Sequence, residues 1–163
     1  MTAALSSNPI FIMDKCYNSA PINALSTSYG ANNNGGLMVM ISPSSKLTEC
    51  YNTGNLTMKT KSQYTGGLVG YYSGSFNANA FPELLKCYNT GNITTGSTYC
   101  GGIVGYASNY MTITDCFNAG NIISSTQYAG GITARNGNYV KIVNTNNSGN
   151  ITSPDNYIAG ITA

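Results

Sequence analysis

One six-residue phrase recurs five times along this chain and constrains its fold more than any other feature. The copies read CYNSAP (16–21), CYNTGN (50–55 and 87–92), CFNAGN (116–121) and TNNSGN (145–150). Their first residues are 34, 37, 29 and 29 residues apart, so the unit has about 29 residues and the first two units carry insertions. A fixed period of this length is typical of proteins in which one structural unit stacks on the next.

A second phrase follows each copy of the first at a nearly constant distance. It reads NNGGLMVM (33–40), YTGGLVGY (64–71), YCGGIVGY (99–106), YAGGITAR (128–135) and YIAGITA (157–163). Apolar residues recur three residues before the first phrase, six residues after its first position, and just after the second glycine. Each unit therefore contains three short β-prone segments bounded by Gly, Asn or Ser, and no segment has a helical period.

One such unit cannot bury its apolar residues alone, whereas units stacked in register bury them against each other. We therefore predict an all-β fold, a parallel right-handed β-solenoid of about five coils with three short strands per coil. Each strand would pair with its equivalent in the next coil, about 4.8 Å away. We expect an N-terminal lead-in segment at 1–12 and a solenoid domain at 13–163, with coils near 13–46, 47–83, 84–112, 113–141 and 142–163.

Stacking would turn each repeated position into a ladder of equivalent side chains. Amide side chains hydrogen-bond along such a ladder, and aromatic rings stack along it. The predicted asparagine ladder consists of Asn18, Asn52, Asn89, Asn118 and Asn147. The predicted tyrosine ladder consists of Tyr64, Tyr99, Tyr128 and Tyr157. The fifth position of the phrase is predicted to form tight corners with positive φ, at Gly54, Gly91, Gly120 and Gly149.

The first position of the phrase holds four of the five cysteines: Cys16, Cys50, Cys87 and Cys116. Because the last copy has Thr145 there, we favour packing as small, buried and inert thiols. Disulfides between neighbouring coils are one alternative. A metal site is the other, although the chain has no His and no C-x-x-C pair. We predict no cofactor and no bound metal.

The charge of the chain excludes several classes of function. Seven Lys or Arg and five Asp or Glu give a net charge of +2, too thin for a basic stripe, so no nucleic-acid binding is predicted.

No apolar run approaches the ~20 residues that span a bilayer, so no membrane insertion is predicted. The N-terminal residues do not resemble a secretory signal. Either the protein is not exported by that route or the chain is a piece of a longer one.

The acidic residues are too few to suggest an enzyme. Two of the five, Glu49 and Asp115, stand just before the phrase, where neighbouring copies have Lys15 and Lys86. We predict that these alternating charges pair between adjacent coils and fix their register, each pair contributing less than ~1 kcal/mol at the surface. A glycosidase-like pair of carboxylates is the weaker interpretation.

The sequences GGLVG (66–70) and GGIVG (101–105), each following a CYNTGN phrase, resemble the GLUG motif repeats of large bacterial surface proteins. The resemblance covers residues 47–135 well and the flanking copies loosely, since these read GGLMV, GGITA and AGITA. It implies an extracellular or surface-associated repeat region with a structural or adhesive role. It carries over no catalytic residue.

Two functions fit these observations. The preferred one is a non-catalytic structural or interaction repeat protein of the bacterial surface or extracellular space, partnering with itself or with neighbouring domains of a longer chain. Its open ends would stack into a filament. The alternative is a rigid adhesin spacer whose lateral face and inserts at 23–34 and 72–84 bind glycan or a host protein. Tyr71, Tyr72 and Phe76 are the predicted aromatic contacts of that face.

Overall fold

The computed structural model describes residues 11–24, 33–58, 62–72, 81–154 and 157–163. Within these residues every regular element is a short β-strand. No helix long and apolar enough to cross a membrane is found in the part of the chain that the structure describes. The strands stack as a parallel β-solenoid, so the predicted fold class is confirmed.

The described strands follow one order in every coil. The first coil contains β1 (Ile12–Asp14), β2 (Tyr17–Asn18), β3 (Ile22–Ala24), β4 (Asn33–Gly35) and β5 (Met38–Ile41). The second contains β6 (Lys46–Thr48), β7 (Tyr51–Asn52), β8 (Leu56–Met58), β9 (Tyr64–Gly66) and β10 (Val69–Tyr72). The third contains β11 (Glu83–Leu85), β12 (Tyr88–Asn89), β13 (Ile93–Thr95), β14 (Tyr99–Gly101) and β15 (Val104–Ala107). The fourth contains β16 (Thr112–Thr114), β17 (Phe117–Asn118), β18 (Ile122–Ser124), β19 (Tyr128–Gly130) and β20 (Thr133–Asn136). The fifth contains β21 (Lys141–Val143), β22 (Asn146–Asn147), β23 (Ile151–Thr152) and β24 (Tyr157–Ala159).

Equivalent strands of successive coils pair in parallel and form five sheets along the solenoid. The first sheet has the order β1-β6-β11-β16-β21, the second β2-β7-β12-β17-β22, and the third β3-β8-β13-β18-β23. The fourth has the order β4-β9-β14-β19-β24, and the fifth β5-β10-β15-β20. The register follows the repeat, since Leu47 pairs with Leu84 and Leu84 with Ile113. The described strands therefore belong to five coils, four with five strands each and a fifth with four.

The described coils are divided more finely than the sequence predicts, with five short strands in place of three. The second strand of each coil has only two residues, such as Tyr88–Asn89, because a corner precedes the cysteine and another follows the asparagine. The chain also bends at the paired glycines, which separates the fourth sheet from the fifth. These bends divide the predicted strands into shorter ones and leave the order of the apolar positions unchanged.

The corner before the phrase is formed by residues other than glycine in the left-handed region. Their φ angles are 52°, 52°, 53°, 53° and 48° at Lys15, Glu49, Lys86, Asp115 and Asn144. The first four of these turns are supported by the next coil; the backbone N–H of Glu49, for example, donates to the carbonyl of Leu85 at 2.9 Å. The predicted positive φ at Gly54, Gly91, Gly120 and Gly149 is wrong, because no described glycine has one.

The fifth-position glycines are needed for space instead of for a left-handed turn. A Cβ added at any of them would lie 2.0–2.1 Å from a carbonyl oxygen of the preceding coil; at Gly91 this is the oxygen of Gly54. No real Cβ approaches an oxygen so closely. The coils can therefore stack at this corner only if the position is glycine.

The alternating charges before the phrase do not form the predicted pairs. Among the described residues, the one ion pair joins Lys46 Nζ and Glu83 Oε2 at 2.8 Å, on neighbouring strands of the first sheet. Asp115 instead accepts a hydrogen bond from the Asn144 amide. The left-handed corner turns the two kinds of side chain outward into solvent, where pairing is weak.

The interior contains two apolar clusters. The larger joins the first and fifth sheets and includes Leu47, Leu84, Ile113, Val69 and Val104. The smaller joins the third and fourth sheets and contains Leu56, Met58, Ile93, Cys100, Ile122 and Ala129. Almost all of these side chains are completely buried, so stacking gives each inner coil the core that one unit could not form alone.

We expect Gly102→Ala and Gly160→Ala to differ sharply, although both glycines hold the same position of the repeat. A Cβ at Gly102 would lie 2.1 Å from the Gly131 carbonyl oxygen and 2.5 Å from Asn118 Cγ, whereas a Cβ at Gly160 meets nothing within 4 Å. Gly102→Ala should lower the free energy of unfolding by about 3 kcal/mol, because neighbouring backbone must move. Gly160→Ala should raise it by about 0.5 kcal/mol. Chemical denaturation of both variants measures the difference, and equal losses would contradict the steric explanation.

Candidate functional site

The five predicted asparagines form one continuous chain of hydrogen bonds. Each Nδ2 donates to the Oδ1 of the asparagine in the next coil at 2.7–2.8 Å, from Asn18 through Asn52, Asn89 and Asn118 to Asn147. Each Nδ2 also donates to the carbonyl two residues further along its own chain at 2.8–2.9 Å. The three inner members are completely buried. All bonds between coils point the same way, which gives the solenoid a chemical direction.

The predicted tyrosine ladder also lies in one column. Ring centroids are 5.5 Å apart for Tyr64 and Tyr99, 4.8 Å for Tyr99 and Tyr128, and 4.6 Å for Tyr128 and Tyr157. Sequence reasoning missed a second stack, at the second position of the first phrase. It runs through Tyr17, Tyr51, Tyr88 and Phe117 with centroid distances of 5.0, 4.7 and 4.8 Å. The signal was present, because four of the five phrases are aromatic there.

Arg135 joins the first of these stacks to a neighbouring tyrosine. Its guanidinium carbon lies 5.2 Å from the ring centroids of both Tyr99 and Tyr106, and Nη1 donates to the Tyr99 hydroxyl at 3.1 Å. Tyr64 packs beside Tyr106 at 5.2 Å, and burial raises the pKa of the Tyr64 phenol, with Arg135 acting in the opposite direction. These contacts bind the fourth and fifth sheets together across the corner.

The predicted ligand face of Tyr71, Tyr72 and Phe76 is not assembled as expected. Tyr71 is half-buried and stacks on Tyr64 at 5.2 Å. Tyr72 is completely buried, at a position held by Ile41 and Ala107 in the adjacent coils, so it is wrong as a ligand contact. The alternation of the strand turns one of two adjacent tyrosines inward. Phe76 lies outside the described residues.

Burial also sets the chemistry of the Tyr72 phenol. Its hydroxyl has no hydrogen-bond partner among the described residues. Burial raises the pKa of Tyr72 to about 12, so the phenol stays neutral at physiological pH. A neutral hydroxyl without a partner in an apolar core has a packing role, and it costs the protein free energy of folding.

All five cysteines are free thiols in the structure. In the column of four, each Sγ donates to the carbonyl two residues earlier, as Cys50 does to Thr48 at 3.2 Å. A hydrogen bond with the Cys116 thiol, together with burial, raises the pKa of Cys87, and burial alone raises that of Cys100 to about 12. Cys87 and Cys100 are therefore held as neutral thiols, which are poor nucleophiles and poor ligands. Across the described residues, no group of three or more Cys, Asp or Glu is placed to hold a metal ion.

A groove of about 540 Å³ opens at the turns between the fifth sheet and the first. It is lined by Phe81, Tyr110, Thr112, Tyr139, Val140 and Lys141. The Tyr110 and Tyr139 rings stack with centroids 4.8 Å apart, and Phe81 meets Tyr110 edge-on at 5.8 Å. Phe81 belongs to the insert at 72–84, so one part of the predicted ligand-binding region does line a concave surface. Composition alone could not show that the three rings meet.

The two ends of the described solenoid expose columns that are buried elsewhere. In the first sheet, Leu47, Leu84 and Ile113 are completely buried, whereas the terminal members Met13 and Ile142 are only partly covered. In the fourth sheet, the column that is buried at Cys100 and Ala129 ends at Ile158, which is exposed. Each terminal coil therefore has one strand edge that pairs with no other described strand, beside partly exposed core residues.

Comparisons of this chain with models of known protein families, with curated proteins and with solved structures found no match. The resemblance to GLUG repeats consequently depends on the quoted motif residues alone.

We expect Asn89→Ala to destabilise the protein far more than Asn92→Ala, although both lie in the same CYNTGN phrase. Asn89→Ala removes the acceptor of Asn52, the donor to Asn118 and the donor to the Gly91 carbonyl, all inside the solenoid. Since each buried group left unpaired costs about 1–3 kcal/mol, the loss should exceed about 3 kcal/mol. Asn92 is exposed and accepts from the Asn121 backbone N–H, a bond that water can replace. Urea denaturation tests this, and similar losses would contradict a buried ladder.

We expect Tyr72→Phe to leave stability unchanged or to raise it by up to about 1 kcal/mol, because the hydroxyl that is removed has no partner. The matched variant Tyr72→Ala should lower stability by about 3–5 kcal/mol, because it empties a fully buried site. Thermal unfolding of both variants provides the comparison. A large loss for Tyr72→Phe would show that the hydroxyl has a partner after all.

Proposed function

We propose that this chain is a non-catalytic structural repeat of the bacterial cell surface or extracellular space that extends by stacking end to end on a second copy of itself. The observation that carries the proposal is the direction of the asparagine ladder. Asn147 Nδ2 donates only within its own coil, to the Gly149 carbonyl, and Asn18 Oδ1 accepts only from the Ala20 N–H among the described residues. One end thus offers a donor where the other offers an acceptor.

The apolar columns support the same arrangement. A second copy in register would place Met13 on Ile142 and Ile22 on Ile151, which continues the columns that are buried inside the solenoid. The contact is head to tail, so each added copy leaves the same two ends open. Heterologous contacts that do not close on themselves produce fibres.

Gly160 provides a steric requirement for this contact. Inside the solenoid, the second glycine of each coil packs against the asparagine of the next coil; a Cβ at Gly102 would lie 2.5 Å from Asn118 Cγ. By the same spacing, Gly160 of one copy would receive Asn18 of the next. A side chain at Gly160 has free space in the single molecule and would clash only in the stack.

The surface location is supported by the resemblance of GGLVG and GGIVG to the GLUG repeats of bacterial surface proteins. We also propose that the chain is not an enzyme and that it binds neither nucleic acid nor membrane. The described acidic side chains are dispersed, and Glu83 is engaged by Lys46. The neutral, amide-rich interior has a mechanical role, which is to hold equivalent strands in register.

We expect the wild-type protein to elongate with concentration and Gly160→Ala to remain a single short rod. The substitution should leave the thermal midpoint unchanged or slightly higher, because a Cβ at Gly160 would meet nothing within 4 Å in the single molecule. Negative-stain electron microscopy and light scattering over a concentration series measure the lengths.

The control for this experiment is Ile123→Lys, which places a larger change on the exposed side of the third sheet, away from both ends. It should elongate like the wild type. If the wild-type protein stays a single rod at every concentration, end-to-end assembly is wrong. The alternative of a rigid adhesin spacer, which presents a ligand-binding lateral face, would then be preferred.

A further inference from the structure

We propose that the groove lined by Phe81, Tyr110, Tyr139 and Lys141 binds an acidic polysaccharide. The apolar C–H faces of the sugar rings would pack on the aromatic side chains, and a sugar carboxylate would pair with Lys141. The groove measures about 540 Å³, within the roughly 300–1,000 Å³ of ligand sites in general. The Tyr139 and Lys141 side chains are exposed at the outer surface, and because Lys141 lies on the terminal strand β21, binding is tested on protein that does not assemble.

The backbone at this groove is held in a conformation that its residues disfavour. Tyr110 and Tyr139 have φ angles of 63° and 59°, in the left-handed region where bulky residues are rare. The residue before each is Asn109 or Asn138, a type that enters this region at much lower cost. The chain thus places the tyrosine, and not the asparagine, at the strained position in two successive coils. Ser44, at the equivalent position before β6, has a φ of 65°, so the left-handed turn belongs to the repeat itself, and the aromatic rings are what these two coils add to it.

Burial does not explain why Tyr139 and Phe81 are present, whereas Tyr110 is half-buried between them. The relative exposure of Tyr139 is 74%, the highest among the large exposed apolar side chains of the described residues, and that of Phe81 is 51%. The Tyr110 and Tyr139 rings are parallel to within 10°, so together with Phe81 they form a strip along the solenoid axis. An exposed aromatic strip beside a concave surface is suited to ring-shaped ligands with apolar faces.

Lys141 supplies a positive charge that no described acidic residue pairs with. In the same column of the first sheet, Lys46 is paired with Glu83 at 2.8 Å, whereas Lys141 forms no ion pair among the described residues. An apolar ligand would need no charge here, and a simple anion would need no aromatic wall. A uronic acid unit has both an apolar ring face and a carboxylate, so it matches the two features together.

The test is calorimetric titration with an oligomer of galacturonic acid and with a galactose oligomer of the same length. Both are titrated into the wild-type protein at low concentration and into Gly160→Ala, so that assembly does not contribute. We expect the acidic oligomer to bind about tenfold more tightly than the neutral one, with an affinity that falls as salt rises. Failure of assembly and failure of sugar binding are then separate results.

Three variants assign the binding to the groove. Lys141→Gln should abolish the preference for the acidic oligomer, whereas Lys46→Gln, the matched lysine outside the groove, should leave it intact. Tyr139→Asn should weaken binding about tenfold without lowering the thermal midpoint, because Asn tolerates the positive φ at this position. A purely structural tyrosine would instead lower the midpoint when it is replaced.

Several results would overturn the proposal. Among them are no binding of the galacturonic acid oligomer, unchanged binding by Lys141→Gln, and unchanged binding by Tyr139→Asn. Equal affinity for polyglutamate of similar charge would show that the groove binds acidic protein segments and is not specific for sugars. Equal affinity for the neutral galactose oligomer would show that Lys141 does not contribute to ligand recognition.

Discussion

The contact between an asparagine of one coil and a glycine of the coil before it is the constraint on which the solenoid depends. Asn89, Asn118 and Asn147 pack where a Cβ at Gly67, Gly102 or Gly131 would lie 2.5–2.6 Å from the amide carbon. The amide can enter the interior only because the glycine has no side chain. The buried amide then donates hydrogen bonds both to a carbonyl of its own turn and to the asparagine of the next coil. The two repeated phrases are therefore two halves of one interaction, which explains why the chain keeps both.

A buried polar ladder also explains how a chain so poor in charge can be ordered. Its hydrogen bonds run along the solenoid axis, in the same direction as the pairing of the strands, so every added coil completes the amide of the coil before it. Mismatched stacking would leave several buried amides unpaired at once, and each is costly. Register is thus specified by the interior. The exposed charged residues before the first phrase are therefore not needed to fix the register, which is consistent with the absence of ion pairs between them in the described coils.

The columns could be predicted from sequence because a repeat converts periodicity into position: Leu47, Leu84 and Ile113 each stand three residues before the first phrase and so share a face. The finer geometry could not be predicted. Lys86 and Asp115 adopt a conformation that the sequence suggests for glycine, and they do so because the next coil accepts their backbone N–H groups. Similarly, nothing local distinguishes Tyr71 from Tyr72, whose sides are decided by the strand. The groove needs residues from turns about 29 residues apart, brought together only by stacking.

Stacking and sugar binding would reinforce each other if both proposals hold. Copies added head to tail repeat the same lateral surface at a fixed spacing, so a filament would present a row of identical grooves along its axis. A polysaccharide repeats its own acidic units in the same linear way. Weak contacts at single grooves would then combine, because a chain held at one groove is at high effective concentration at the next. A single Lys141 beside three aromatic rings is a modest site alone, and repetition is the means by which such a site gains strength.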